Sequence, residues 1–320
     1  MKRILFTFLA ISTLCFAPRA LSQKILSTFT IGGITGYPAI NTATNMIYIP
    51  NTTTGAVAVI NGQTNQIVTN ISVGTSPVYA AVNPATNVVY VSGGQADQYI
   101  AVIDGSSNTV TTTVPVTFGG AMAVNSAANL VYFLNGFGAF SVLDGATNQV
   151  TQTVTIGKNC CMSIAYGPFT NRIYATTSSN DLAVINAATL RFVTTNFPQA
   201  IQLIGVAADN RSNQVYLNSG GDGLYVVNGI SGRLITTLLP GYFGPIAFST
   251  STHLVADFDY STQSSSDFLS FIKARTYGSV GNQVTFPVGT DPYTITAGAH
   301  GRFYVTFYRQ DGVSVLSGPQ

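Results

Sequence analysis

The chain has no tryptophan, and because all 11 of its acidic residues are aspartate it has no glutamate either. Without glutamate there is no H-E-x-x-H zinc-protease pattern. There are two histidines, His253 and His300, and three cysteines, at none of the spacings that hold a structural zinc. No G-x-S-x-G nucleophile elbow occurs. Charged residues make up only 8% of the chain, and their overall balance does not offer the clustered positive charge that grips nucleic-acid phosphates. Strong helix formers are scarce. What is abundant is threonine, serine, asparagine, valine and glycine, an all-β composition.

The one long apolar run lies at the N-terminus. Lys2 and Arg3 precede ILFTFLAISTLCFA, and Ala20-Leu21-Ser22 follows. A basic start, a run of about 14 apolar residues and a small-x-small end predict a secretory signal peptide over residues 1–22, since a membrane-spanning helix needs roughly 20. Cleavage is expected before Gln23. It removes Lys2, Arg3 and Arg19 from 13 basic residues and leaves 10 against 11 acidic, a net charge of −1. The expected location is therefore outside the cytoplasm, in the periplasm, at the cell surface or in the medium, with no membrane span after cleavage.

A repeat governs the rest. Tyr48, Tyr90, Tyr132, Tyr174 and Tyr216 are each 42 residues apart, and Asn45, Asn87, Asn129, Asn171 and Asn213 each stand three residues before one of them. TNMIYIPN, TNVVYVSG, ANLVYFLN, TNRIYATT and SNQVYLNS are one segment written five times; VAVINGQTN, IAVIDGSSN and FSVLDGATN belong to a second. These segments alternate with the period of a strand and are interrupted by turn residues. Four strands of about 5–6 residues with four short loops come to roughly 40 residues, one blade of a β-propeller. Seven units are present. The sixth places Ala256 where tyrosine should stand, with His253 at the asparagine position, and the seventh restores the aromatic at Tyr304. The last unit lacks a fourth strand after GVSVLSG, whereas KILSTFTIG near the start has the pattern of QIVTNISVG. The N-terminal strand is expected to complete the last blade and close the ring, giving one all-β domain over residues 23–320.

The stretch Asn83-Pro84-Ala85-Thr86-Asn87-Val88-Val89-Tyr90-Val91, followed by V-x-V-I-D-G, resembles the YVTN β-propeller repeat family, and the resemblance runs over essentially all of residues 23–320. The four-letter motif itself is absent; Tyr304-Val305-Thr306 comes nearest. The resemblance implies a seven-bladed propeller of the secreted, periplasmic or surface-layer kind. Some similar propellers are lactonases and at least one relative binds DNA, but no catalytic residue carries over to this sequence. Quinone-cofactor propellers use a tryptophan in each blade, which this chain cannot supply.

The loop residues sort by face. In a blade with strands A to D from the centre outward, the B–C loops and the D–A crossings share one end of the ring. Eight of the 11 aspartates fall there: Asp97, Asp181, Asp222, Asp257, Asp259, Asp267, Asp291 and Asp311. That end is expected to be acidic and to serve a hydroxyl-rich ligand, a cation or a protein better than a phosphate, so no nucleic-acid partner is expected. Asp257, Asp259 and Asp267, in the long loop of blade 6, could offer hard oxygen ligands to Ca²⁺, or simply be solvated. Cys160 and Cys161, aligned with Cys160 in the place of Pro77, would stand at the channel lip on the same face. They read as two buried thiols, as a strained vicinal disulfide, or as partners for another chain. The expected function is a binding or interaction protein that takes a small molecule, a glycan or a protein at the channel mouth, with Cys160, Cys161, Asp97, Asp181, Asp222, Asp291 and Asp311 as candidate contacts. The alternative is a lactonase-like hydrolase using loop aspartates, with or without a divalent metal.

Overall fold

Asn45, Asn87, Asn129 and Asn171 take left-handed backbone angles, with φ between 48° and 55°, a conformation asparagine tolerates better than most residues. Each turns the chain out of the innermost strand of a blade into the strand that carries the repeat tyrosine. His253 does the same in blade 6 with φ 56°, and Gly301 in blade 7 with φ 69°. The computed structural model describes residues 23–93, 98–136, 138–157, 161–177, 179–198, 200, 202–221, 223–238, 243–259, 267–281, 283–286, 292–308 and 311–318, without the side chains of Cys161, Met162, Phe243 and Asp259. The signal-peptide segment 1–22 lies outside the described residues.

The repeat folds into seven four-stranded sheets, each ordered A-B-C-D with antiparallel neighbours. Blade 1 comprises Ala39–Asn41, Met46–Asn51, Ala56–Asn61 and Gln66–Ser72. The C–D turns show why asparagine and aspartate interchange in the second repeat segment. Asn61, Asp104, Asp144, Asn186 and Asn228 each accept, through a side-chain oxygen, the backbone N–H two residues on, at 2.7 to 3.0 Å. Only the acceptor oxygen is needed, so the charge is incidental. The residue after each of them donates its N–H to the carbonyl of the repeat asparagine of the same blade, as from Gly105 to Asn87 and from Gly145 to Asn129, both at 2.8 Å.

Neighbouring blades are joined by the tyrosines. The side chains of Tyr48, Tyr90, Tyr132, Tyr174, Tyr216 and Tyr304 are fully buried, each in the core between its own blade and the next: Tyr48 against Val89 and Val91, Tyr90 against Val131 and Phe133, Tyr304 against Ile47 and Ile49. Where blade 6 has Ala256 instead, phenylalanines fill the space, with Phe271 and Phe303 edge to face at 5.0 Å. Asparagine pairs add a polar seam: Asn41 donates to Asn87 at 2.6 Å and Asn83 to Asn129 at 2.7 Å.

The seam leaves no room at the turn glycines. A Cβ on Gly145 would lie 2.5 Å from Asn129 Oδ1 and 2.6 Å from the Tyr90 hydroxyl. Gly145→Ala is therefore expected to cost about 1–3 kcal/mol through overpacking, seen as a lower urea midpoint with an unchanged slope.

Ring closure follows the expected route. Ile25–Phe29 pairs antiparallel with Val313–Ser317 and becomes the outer strand of blade 7. Just past that strand, the Asp311 carboxylate accepts the backbone N–H of both Ile31, at 2.7 Å, and Gly32, at 2.6 Å. Gln23 is buried and donates to the Val280 carbonyl at 2.8 Å.

Candidate functional site

The innermost strands leave a central channel of about 520 Å³, lined by residues of all seven blades. The first residues of these strands come from the D–A crossings, so side chains near their starts face the B–C/D–A end. Five of the strands carry a bulge there, between Pro77 and Tyr79, Cys161 and Ser163, Leu203 and Gly205, Phe243 and Ile246, and Pro292 and Thr294. A bulge re-aims the side chains beside it, and here those side chains belong to the channel wall. Strand register makes Tyr37, Tyr79, Ala121, Ser163, Gly205, Pro245 and Thr294 equivalent around the ring, and all seven line the channel.

The ring is lopsided. Blades 1, 2 and 7 supply Tyr37, Tyr79 and Tyr293, while blades 3, 4 and 5 supply Ala121, Ser163 and Gly205. Tyr37 and Tyr79 stack with centroids 4.5 Å apart and planes 21° from parallel; Tyr293 leans on Tyr37 at 5.1 Å, and Tyr308 continues the row at 5.2 Å from Tyr293. Tyr308 follows the B strand of blade 7, Arg302–Phe307, which fixes the row at the B–C/D–A mouth. In the sequence Tyr37 and Tyr79 share the spacing of 42, but they stand outside the stronger tyrosine series that begins at Tyr48.

The anticipated acidic contacts are distributed differently. Asp311 is the closure clamp described above. Asp181 opens the C strand of blade 4 and accepts from Asn196 at 2.8 Å. Asp257 is not a loop residue: it lies inside the B strand Leu254–Asp259, fully buried, accepting from Asn218 at 2.6 Å. Asp259 ends that strand and Asp267 opens the next, so a strand end and a strand start replace the expected loop triad. Among the described residues no three His, Cys, Asp or Glu side chains are grouped to hold a metal. Asp97, Asp222 and Asp291 lie outside the described residues, as do Cys160 and the side chain of Cys161. The register does correct one assignment. Cys161 pairs with Thr177 as Pro77 pairs with Gly93, so Cys161, not Cys160, takes the place of Pro77.

The chemistry of the described lining is uncharged. It holds no Asp, His, Cys, Lys or Arg, and every polar side chain in it is a hydroxyl: Tyr37, Tyr79, Tyr293, Ser163, Thr294 and Thr296. Thr294 is committed to Thr306 at 2.7 Å and Thr296 to the Pro38 carbonyl at 3.1 Å. Such a wall can bind and orient, but it presents no carboxylate or imidazole to act as a general base.

No family model matches the chain, and no curated protein sequence does. Solved structures match it by shape. The β-propeller domain of Cps50 (Swd1) from Myceliophteria thermophila superposes with a TM-score of 0.76 at 11% identity, covering 92% of this chain and 99% of that one. A chain of a mitotic checkpoint complex superposes with a TM-score of 0.80 at 12% identity, covering 100% of this chain and 99% of that one. At such identities the likeness establishes the fold. This chain is a seven-bladed β-propeller. Among the described residues no helix is long and apolar enough to cross a membrane.

Proposed function

We propose that the protein is an exported binding protein of the YVTN-like propeller kind, mature from Gln23, and that it takes its ligand at the B–C/D–A mouth of the central channel. The observation that carries this reading is the lopsided ring, with tyrosines on three neighbouring blades facing Ala121, Ser163 and Gly205 across an open channel. A structural plug would fill the ring evenly. A cavity of this size, mostly apolar with a few convergent polar groups, is what small ligands occupy. In this reading Asp97, Asp222 and Asp291 belong to the rim around the mouth. The export proposal is supported by the N-terminal sequence and by the structural use made of the chain from Gln23 onward.

The test is thermal shift against neutral oligosaccharides, short peptides, neutral aromatic compounds and Ca²⁺, with Ala121→Trp as the filled-channel control. At least one class is expected to raise Tm in the wild type and to lose that effect in the variant; saturation at 100 times Kd corresponds to about 2.7 kcal/mol. No shift in the wild type, or shifts that survive the filled channel, would refute the channel-mouth reading.

A further inference from the structure

The end of the ring opposite the B–C/D–A mouth, formed by the A–B and C–D turns, is strongly charged. Arg172 and Arg191 stand there on blade 4, and Arg211 and Arg233 on blade 5. Lys273 and Arg275 follow on blade 6, and Arg302 and Lys24 on blade 7. Within these turns only Asn282 lies outside the described residues, and it carries no charge. Three aspartates share this end with the eight cations. Asp104 and Asp144 belong to blades 2 and 3, outside the basic stretch. Asp209, on blade 5, is 2% exposed and accepts from Arg211 N–H at 2.8 Å and from Ser212 Oγ at 2.5 Å. Four successive blades thus form a positive arc in a chain whose formal net charge is only +2.

The arc is continuous because the turns of one blade rest on the next. Tyr174 of blade 4 donates to the Gly229 carbonyl, in the C–D turn of blade 5, at 2.9 Å. Tyr216 of blade 5 accepts the Arg275 N–H, in the C–D turn of blade 6, at 3.4 Å. Gly301 N–H, in the A–B turn of blade 7, donates to Ser251 Oγ of blade 6 at 3.2 Å. Two apolar tips project within the arc: Phe169, 60% exposed, on the A–B turn of blade 4, and Ile230, 55% exposed, on the C–D turn of blade 5. They are the most exposed large apolar side chains among the described residues. The repeat supplies its own control. Blades 1 to 3 carry Ala43, Ala85 and Ala127 in place of Phe169, and Gln66, Thr109 and Gln149 in place of Arg191 and Arg233. The turns form with either set, so folding accounts for neither the tips nor the cations.

We propose that this end of the propeller docks on an anionic lipid bilayer, with Phe169 and Ile230 entering the headgroup layer and the arc of blades 4 to 7 lying over the lipid phosphates. The inference is independent of the channel-mouth reading. Basic side chains within a Debye length of an anionic leaflet are drawn to it. Six of the eight cations are arginines, whose planar fork matches a phosphate. Apolar side chains flanked by basic ones are what holds a peripheral protein in the interface. A protein partner would have to be shaped around two tips on separate turns, whereas a bilayer yields to each. Docked in this way, the propeller turns its channel mouth away from the membrane, where the mouth stays open to solvent.

The experiment is co-sedimentation of the chain from Gln23, where the described fold begins, so that the apolar run of residues 1–22 cannot itself insert. The vesicles are phosphatidylcholine alone and phosphatidylcholine mixed with phosphatidylglycerol. Binding is expected to the mixed vesicles and not to the neutral ones. The double variant Arg191→Gln/Arg233→Gln should bind roughly 25-fold more weakly, at about fivefold per cation. Phe169→Ala/Ile230→Ala, which restores residues other blades carry at these tips, should weaken binding about tenfold. The chain has no tryptophan, so Phe169→Trp places a single reporter at the tip. Its emission should move to shorter wavelength on the mixed vesicles and be quenched by brominated lipid. Ala127→Trp, the same tip on blade 3, should remain in water. Equal binding to neutral vesicles, no binding to anionic ones, or binding unchanged in either double variant overturns the proposal, as does equal quenching at the two tryptophans. Capture by DNA or polyaspartate without vesicle binding also overturns it and assigns the arc to a soluble polyanion.

Discussion

A chain that begins at Gly33 is expected to melt at least ten degrees below one that begins at Gln23. The segment removed contains the outer strand of blade 7 and the two N–H groups held by Asp311. Hydrogen bonds to a charged group are each worth about 1.5–3 kcal/mol. Ile31 is also lost from the core it shares with Ile47, Ile49 and Val313, and a buried aliphatic side chain contributes about 1.5–3 kcal/mol. These terms alone reach roughly 5 kcal/mol, at about 2 °C per kcal/mol for a large domain. The truncated ring would also expose the edge of Val313–Ser317, a template for aggregation. Asp311→Ala in the intact chain isolates one part of the effect and is expected to lower Tm by several degrees while the strand stays paired. Calorimetry on the three proteins gives the answer. Equal melting temperatures for the first two would mean that the ring holds without its clasp.

The clasp was legible because repeats state their own register. Once Tyr48 to Tyr216 set a spacing of 42, a missing strand at one end and a spare one at the other had a single reconciliation. Turn chemistry was legible for a similar reason: asparagine in the left-handed region and an Asx oxygen at the C–D turn act within a few residues, and local rules suffice. Partners distant in sequence follow no such local rule. Asp257 reads as a loop residue because a serine-rich stretch follows it, yet its carboxylate is turned into the core towards Asn218 of blade 5. Asp311 reads as a channel contact, and the sequence gives no sign that its Oδ1 also accepts from backbone 280 residues away. Nothing in a sequence of one chain says which acid a distant N–H will claim.

The tyrosine wall shows a different obstacle. Tyr37 and Tyr79 obey the repeat, but the stronger series beginning at Tyr48 drew the aromatic signal to itself and explained it as packing. Tyr293 falls out of step. Its strand pairs Pro292 with Phe307 and Thr294 with Thr306, leaving Tyr293 as the extra residue of a bulge. Equivalence by counting fails wherever a bulge adds a residue, and five of the innermost strands carry one at the channel mouth.

The same tyrosines that tie the blades together should set the alkaline limit of the fold. Burial pushes the phenols of Tyr48, Tyr90, Tyr132, Tyr174, Tyr216 and Tyr304 above the usual value. Tyr174 is raised to about 12, burial outweighing the hydrogen bond to Thr170, which acts the other way. In the unfolded chain a tyrosine titrates near 10. Between about pH 10 and 12 the unfolded state has released these protons and the native state still holds them, so stability must fall as pH rises through that window; below pH 10 the contribution is fully present. In absorbance at 295 nm these six phenols should ionise above the pH of about 10 at which a tyrosine in water does. Their ionisation should come in one steep step that coincides with loss of the β circular-dichroism signal. Tyr174→Phe separates packing from proton linkage. It gives up the hydrogen bond to the Gly229 carbonyl at 2.9 Å, worth about 1 kcal/mol at neutral pH, and it removes one titrating group, so its stability should decline less steeply above pH 10. A single smooth ionisation of all tyrosines near pH 10 with the circular-dichroism signal intact would show that these phenols reach water without opening the blades, and the interlocking role assigned to them would fail.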